Sequence, residues 1–313
     1  MIKKISVAML VVILGLVAFG PGWVYWRSPH VRPVEISEDF LSYVHNKEAS
    51  FTGVKQDNSS FFAFNAPQTQ STDVALVYLH GFSASPREIS PVMESVGAMT
   101  KSHVYFPRLA GHGLQDGQMF DLTSDELFQD AEESYQVAKR LGKKIVLVGT
   151  STGGTLALWL ASRHSDIAGL VLISPNLGIR DPRGFLAGGP LGYWIARAVV
   201  GPYHQWKPRN PEQEKFWTTK YSVNGVRAMT DVVREVERLD FSKIQIPTLM
   251  LWTEKDRVVN IERAKELLSQ MSSSTKEFVE IKSNNHVLAG NITSPETTND
   301  VVDVVSKFVL DLK

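Results

Sequence analysis

The sequence predicts an α/β fold, a mostly parallel central sheet flanked by helices, on three observations. Six short apolar runs stand at 74–79, 104–106, 145–148, 170–173, 248–252 and 278–281. They are nearly continuous in apolar residues rather than alternating, as strands buried on both faces of a parallel sheet require. Segments of helical period lie between them, and strand–helix alternation marks a parallel sheet with helices on its faces. The 313 residues, 43% hydrophobic and 21% charged, suffice for a sizeable core and exclude wholesale disorder.

The elements follow in order along the chain. After Lys3 and Lys4, the 22 residues from Ile5 to Trp26 carry no charge. As a helix they would span roughly 33 Å, enough to cross a bilayer core. Trp23, Tyr25 and Trp26 would then sit at the interface. Residues 1–26 therefore read as an uncleaved signal anchor. A cleaved signal peptide with small residues at Ala18 and Gly20 is the rival, and Pro21 disfavours cleavage there. The two lysines suggest a cytoplasmic start and an exported body, periplasmic or extracellular, although Arg27 and Arg32 on the far side work against this orientation. Residues 27–50 read as a stalk or linker and 51–313 as the folded domain.

Within that domain, Thr123 and Glu126 have capping-box spacing and open a helix that stops at Gly142. A last helix over 299–312 places Val301, Val304, Val305 and Phe308 on one face. The stretch 176–230 breaks the alternation. It is rich in Gly, Pro and aromatics, including Trp194, Trp206 and Trp217, and is too long for a simple loop. It reads as an insertion or lid. Its aromatics either pack a small core of its own or wall an apolar pocket.

Composition removes several kinds of chemistry. Lys and Arg total 33, as do Asp and Glu, so the electrostatic footprint of a nucleic-acid binder is missing. There is no cysteine, which excludes disulfides, thiolate metal sites and a cysteine nucleophile. Histidine is left as the main group for proton transfer near neutral pH.

Four loops that follow strands carry the reactive residues. Gly149-Thr150-Ser151-Thr152-Gly153 is a G-x-S-x-G pattern placed after an apolar strand and before a helix, the setting of a nucleophile elbow. The alternative is a glycine-rich turn in which Ser151 only caps the helix. His80-Gly81-Phe82 ends an earlier strand, and the amides of Phe82 and Thr152 are the natural pair of oxyanion donors. His80 reads as a brace for that loop rather than a base. Of eight histidines only His286 follows a late strand, and Asp256 stands in the loop after the strand before it. This gives Ser151, Asp256 and His286 in chain order at the carboxyl ends of strands. Glu254 is the rival acid, and a helix N-cap is the plain alternative for Asp256.

Taken together, these motifs resemble the serine hydrolases of the α/β-hydrolase superfamily, in particular the monoacylglycerol lipase and carboxylesterase branch. The matching pieces are HGF, FPRLAGHG, GTSTGG, PTLMLWTEKDRVV and NNHVL, spread from Val74 to the C-terminus. The resemblance implies the α/β-hydrolase fold with a lid inserted after the sixth strand. It implies hydrolysis of carboxylic esters by the catalytic residues Ser151, His286 and Asp256 through an acyl-enzyme, and the anchor together with an aromatic lid suggests a lipid-like or medium-chain acyl substrate. Phe82 and Thr152 would form the oxyanion hole. No metal or cofactor is implied, and the expected partners are a small ester or lipid and a membrane, not nucleic acid. Two positions depart from the pattern, Thr253 and Asn285, where relatives often carry glycine. An acyltransferase, thioesterase or peptidase on the same scaffold, or a non-catalytic membrane-tethered binding protein, are the alternatives.

Overall fold

A computed structural model describes residues 28–115, 119–180 and 201–312, together with positions 9–12, 15, 194 and 197–199. All six apolar runs form strands. With a short edge strand they build a seven-stranded sheet from β1 (Phe61–Ala63), β2 (Thr72–Leu79), β3 (His103–Phe106), β4 (Gly142–Thr150), β5 (Ile167–Ile173), β8 (Thr248–Trp252) and β9 (Lys276–Glu280). The order across the sheet is β1-β3-β2-β4-β5-β8-β9. Only β1 runs antiparallel to its neighbour.

The strand register brings the reactive loops to one edge. Leu79 pairs with Gly149, Thr150 with Ile173, Ile173 with Leu251 and Trp252 with Glu280. The strands therefore end nearly level, and the loops after β2, β4, β8 and β9 emerge side by side. Open α/β sheets bind their ligands at this edge.

Alternation along the strands divides the core into two halves. Ala75, Val77 and Leu79 of β2, with Ile145 and Leu147 of β4, face α1 (Phe40–Ala49), α3 (Ser124–Leu141), α4 (Thr152–Arg163), α6 (Val223–Glu237) and α7 (Ile261–Ser269). Val74, Leu76 and Tyr78, with Val146 and Val148, face α2 (Val92–Thr100) and α8 (Thr298–Asp311). Because both sheet faces are covered, the central strands tolerate no polar alternation. β9 differs from the expectation of a strand buried on both sides. It is the sheet edge, its residues Glu277, Phe278 and Glu280 are exposed, and charges flank its apolar positions.

The expected helix ends hold. Thr123 accepts from the amide of Glu126, and Glu126 Oε2 accepts from the amide of Thr123 at 2.9 Å. In α8, Val301, Val305 and Phe308 are buried and Val304 is half-buried.

The segment 27–50, expected as a stalk, is structured over its described part. Asp39 caps α1 by accepting from the amide of Ser42 at 3.0 Å. Phe40 and Val44, one helical turn apart, enter the core. Lys47 lies between Asp130 and Glu133 of α3, at 2.6 and 2.5 Å, and Glu48 meets the buried Arg108 at 3.0 Å. These contacts clamp the segment to the domain.

The anchor expected over 1–26 lies outside the described residues except for positions 9–12 and 15. No helix among the described residues is long and apolar enough to cross a membrane. The stretch expected to be an insertion lies between β5 and β8, after the fifth strand among the described residues rather than the sixth. Its described part holds a two-stranded ribbon, β6 (Tyr203–Gln205) with β7 (Lys220–Ser222), then α5 (Pro211–Phe216) and α6. Residues 181–193, 195, 196 and 200 of that stretch lie outside the described set.

Candidate active site

Ser151 sits at the turn between β4 and α4 with φ 52° and ψ −117°. Such a conformation costs a non-glycine residue on the order of 1–3 kcal/mol and persists only where its surroundings enforce it. The surroundings are backbone bonds. The Ser151 amide donates to Ile173 O at 2.9 Å, and its carbonyl accepts from Asn176 at 3.1 Å and Thr155 at 3.2 Å. The motif glycines are needed because the turn is packed on itself. A Cβ at Gly149 would stand 2.4 Å from the carbonyl of Gly153, and one at Gly153 would stand 1.9 Å from Leu79 O. The result is a serine at the head of a helix, on the sheet edge where the other loops gather.

The acid and base loops meet across β8 and β9. His286 Nδ1 lies 2.7 Å from Asp256 Oδ2, with Asp256 fully desolvated. The other oxygen, Oδ1, accepts from the amides of Val258 and Val259 at 2.8 and 3.1 Å. Burial penalises the charge on Asp256, but His286 and the two amides outweigh it and hold the carboxyl below its usual value. Glu254 is exposed and takes no part in this contact. Asp256 Oδ1 also acts as the turn acceptor that a capping residue would be, so the same carboxylate serves both purposes. His286 Nε2 is buried and has no hydrogen-bond partner among the described residues, Ser151 included. Hydrogen bonds of this kind are often long in ligand-free sites.

The two positions that depart from glycine brace these loops. Thr253 Oγ1 donates to Ser283 O at 2.8 Å, tying the acid loop to the base loop. Asn285 donates to Thr293 O at 2.8 Å and accepts from Arg209. Arg180 donates to the carbonyl of Asp256.

On the other side of Ser151 stands the loop after β2. His80 is buried, with Nδ1 2.9 Å from Gly81 O and Nε2 accepting from the Leu109 amide at 3.1 Å. The two bonds fix the tautomer with the proton on Nδ1. Burial, then the neighbouring His112 ring, hold His80 neutral, well below its usual pKa. It therefore braces the loop and has no nitrogen left for a substrate. Among the described residues no backbone hydrogen bond occupies the amides of Phe82 or Thr152.

Glu88 was not singled out in the sequence. Its Oε2 accepts from the Gly81 amide at 2.8 Å and from Tyr78 OH at 2.6 Å, and Tyr78 OH lies 2.9 Å from Thr150 Oγ1. Burial raises its pKa to about 7 against the pull of those bonds. This chain of four residues joins the ends of β2 and β4 beneath the site. The only trace in the sequence is a carboxyl residue six places after Phe82, which gives no hint that the turn folds back under Gly81.

An apolar wall borders Phe82. Its ring lies 5.0 Å from Tyr221 and 5.5 Å from His112, both edge-on. At the start of α6, a Cβ on Gly225 would stand 3.1 Å from Met119 Cβ and 3.5 Å from Phe82 Cζ, so Gly225 lets these groups close up. Met229 Sδ lies 3.2 Å from Asn176 Nδ2, next to the Ser151 carbonyl. Among the described residues there is no group of three or more metal-ligating side chains.

Comparison with known proteins follows the same lines. The model of a family described as serine aminopeptidase, S33, matches residues 70–291. The chain is 28% identical over 237 residues to a thermostable monoacylglycerol lipase from Bacillus sp. strain H-257, covering 75% of this chain and 89% of the relative. It is 23% identical over 243 residues to a carboxylesterase from Bacillus subtilis strain 168, covering 75% and 94%. Among solved structures, the monoacylglycerol lipase of Paleococcus ferrophilus superposes with a TM-score of 0.62 at 20% identity, over 81% of this chain and 98% of that one.

Proposed function

The chain belongs to the serine aminopeptidase S33 family of α/β-hydrolase serine hydrolases, and from that premise we propose that it cleaves carboxylic esters through Ser151, His286 and Asp256. The observation that carries the proposal is the 2.7 Å contact from His286 Nδ1 to a desolvated Asp256, which leaves Nε2 without a partner. In the first half-reaction Ser151 Oγ attacks the ester carbonyl while His286 Nε2 takes its proton. Asp256 keeps the imidazole in the tautomer that makes this possible. The developing oxyanion is held by the amides of Phe82 and Thr152, each worth about 10²–10³ in rate. Collapse expels the alcohol, which receives the proton from His286. Water then enters by the same route and releases the acid from Ser151.

For the substrate we infer a lipid-like or medium-chain acyl ester. The wall of Phe82, Met119 and Tyr221 supports this, as do the names of the lipase and esterase relatives. The reading includes an N-terminal membrane anchor over 1–26 and an exported domain, supported by the uncharged run from Ile5 to Trp26. Retention of the full chain in membranes after alkaline carbonate washing is the expected result, and release into the supernatant would refute the anchor.

The deciding experiment is Ser151→Ala assayed on p-nitrophenyl butyrate and on an aminoacyl p-nitroanilide. The wild type should turn over the ester far faster than the anilide and react with a fluorophosphonate. Ser151→Ala should keep the wild-type circular dichroism spectrum and lose at least about 10⁴-fold in kcat. Activity above a tenth of wild type in that variant would overturn the assignment, and anilide turnover equal to ester turnover would make the protein a peptidase.

A further inference from the structure

The ribbon and short helix between residues 202 and 222 touch both halves of the catalytic apparatus. On one side, the Thr218 amide donates to Ser83 O at 2.7 Å, one residue from Phe82. On the other, Asn210 Nδ2 donates to Ile292 O at 2.9 Å and Arg209 donates to Asn285, the residue before His286. Between these attachments lies a third apolar cluster, separate from the two halves of the main core. Buried Phe216 and Trp217 pack with Ala84 of the oxyanion loop, and half-buried Trp206, Val287 and Ile292 close around them. Val287 follows His286 directly. The strap itself is fixed from below, where Lys55 Nζ donates to the carbonyls of Trp217 at 2.8 Å and Glu214 at 3.1 Å.

From this we propose that the segment is a positioning strap rather than only a cover: Trp217 and Arg209 set the distance between the His286 imidazole and the oxyanion amides. This rests on the triad reading above. The two loops come from strands at opposite sides of β4 and β5, so their separation is not fixed by one hairpin or one helix. A second link exists beneath, where the Asn291 amide donates to Ser90 O at 3.0 Å. That bond joins the chain five residues after His286 to the chain eight residues after Phe82, whereas the strap holds Ser83, Ala84, Asn285 and Val287, the immediate neighbours of the two groups. A misplacement of about 1 Å in such a constellation costs about 10²-fold in rate.

The test uses the full chain with Trp217→Ala, Trp217→Phe and Arg209→Ala, assayed on p-nitrophenyl acetate and on a decanoate ester. Acetate carries too short an acyl group to lean on an aromatic wall, so it reads the triad alone. Expected for Trp217→Ala is a fall of about 10²-fold in kcat on both esters, with KM on acetate within threefold of wild type. Trp217→Phe should recover most of it, and Arg209→Ala should lose about tenfold. The fluorophosphonate labelling rate should fall in step. Arg209 is exposed, so if Trp217→Ala does not fold, Arg209→Ala decides alone. Wild-type kcat on acetate in Arg209→Ala, or a change confined to decanoate KM in Trp217→Ala, would overturn the strap and leave the triad standing. Activity in Ser151→Ala would instead remove the triad.

Discussion

Gly153→Ala tests how tightly the nucleophile turn is locked to the neighbouring strand. The added Cβ would lie 1.9 Å from Leu79 O, 2.5 Å from Leu79 C and 2.8 Å from His80 O. All three are backbone atoms, so no rotamer change relieves the overlap. Restoring a contact of about 3 Å requires α4 or the end of β2 to move by about 1 Å, at the upper end of the 1–3 kcal/mol typical of overpacking. For a domain of this size that is about 6–12 °C in Tm. The same shift displaces Gly81 and Phe82, which follow His80, and should lower kcat by about 10²-fold. Gly169→Ala is the control. Its Cβ would stand 2.4 Å from Leu312 Cδ1, the end of a flexible side chain near the C-terminus, which can swing away. That variant should stay within about 1 kcal/mol of wild type and remain fully active. Thermal unfolding by circular dichroism, with kcat on one ester, reads both. Equal effects of the two substitutions, or wild-type Tm and kcat in Gly153→Ala, would refute the reasoning.

Two further outcomes concern the buried carboxyls. Asp256→Asn should fold and lose about 10⁴-fold in kcat, because the amide no longer holds the imidazole in the working tautomer. The Asp256 carboxyl is held below its usual 3.8, so its stabilisation is present above that pH and lost as the pH falls beneath it. The Tm gap between wild type and Asp256→Asn should therefore narrow from pH 5 to pH 3, and a constant gap would contradict this. Glu88 has the opposite sign. Raised from 4.5 to about 7, it binds a proton in the folded chain that the unfolded chain has released, so it lowers stability as pH rises through that interval. Glu88→Gln should gain stability relative to wild type from pH 5 to pH 8, by at most about 3 kcal/mol. A pH-independent difference in urea unfolding would show that the carboxyl is ionised throughout.

The parts of the molecule readable in the sequence are those governed by local pattern. Runs such as 145–148 had to be inner strands because both their faces meet apolar helices, and the Thr123–Glu126 box states its own geometry. The order of Ser151, Asp256 and His286 was legible because each residue lies in a loop that follows a strand. Features set by distant partners were not. Phe40 and Val44 gave too short a period to betray α1, whose place depends on Lys47 and Glu48 finding partners more than fifty residues away. The antiparallel β1 is three residues long and exists only through its pairing with β3. Phe278 looked like a core residue until the strand order put β9 at the edge. Trp217 was noted as aromatic, but its packing against Ala84 and near Val287 belongs to the closed chain.

The backbone angle of Ser151 has a consequence for how such a protein can change over generations. At φ 52° the residue that fits without strain is glycine, and glycine has no hydroxyl. Thermodynamic preference and reactivity therefore oppose each other at a single codon. A lineage released from the demand for turnover would drift toward glycine there and become more robust as it fell silent. Robustness in a descendant with glycine at 151 would then record loss of chemistry, not improvement of the fold.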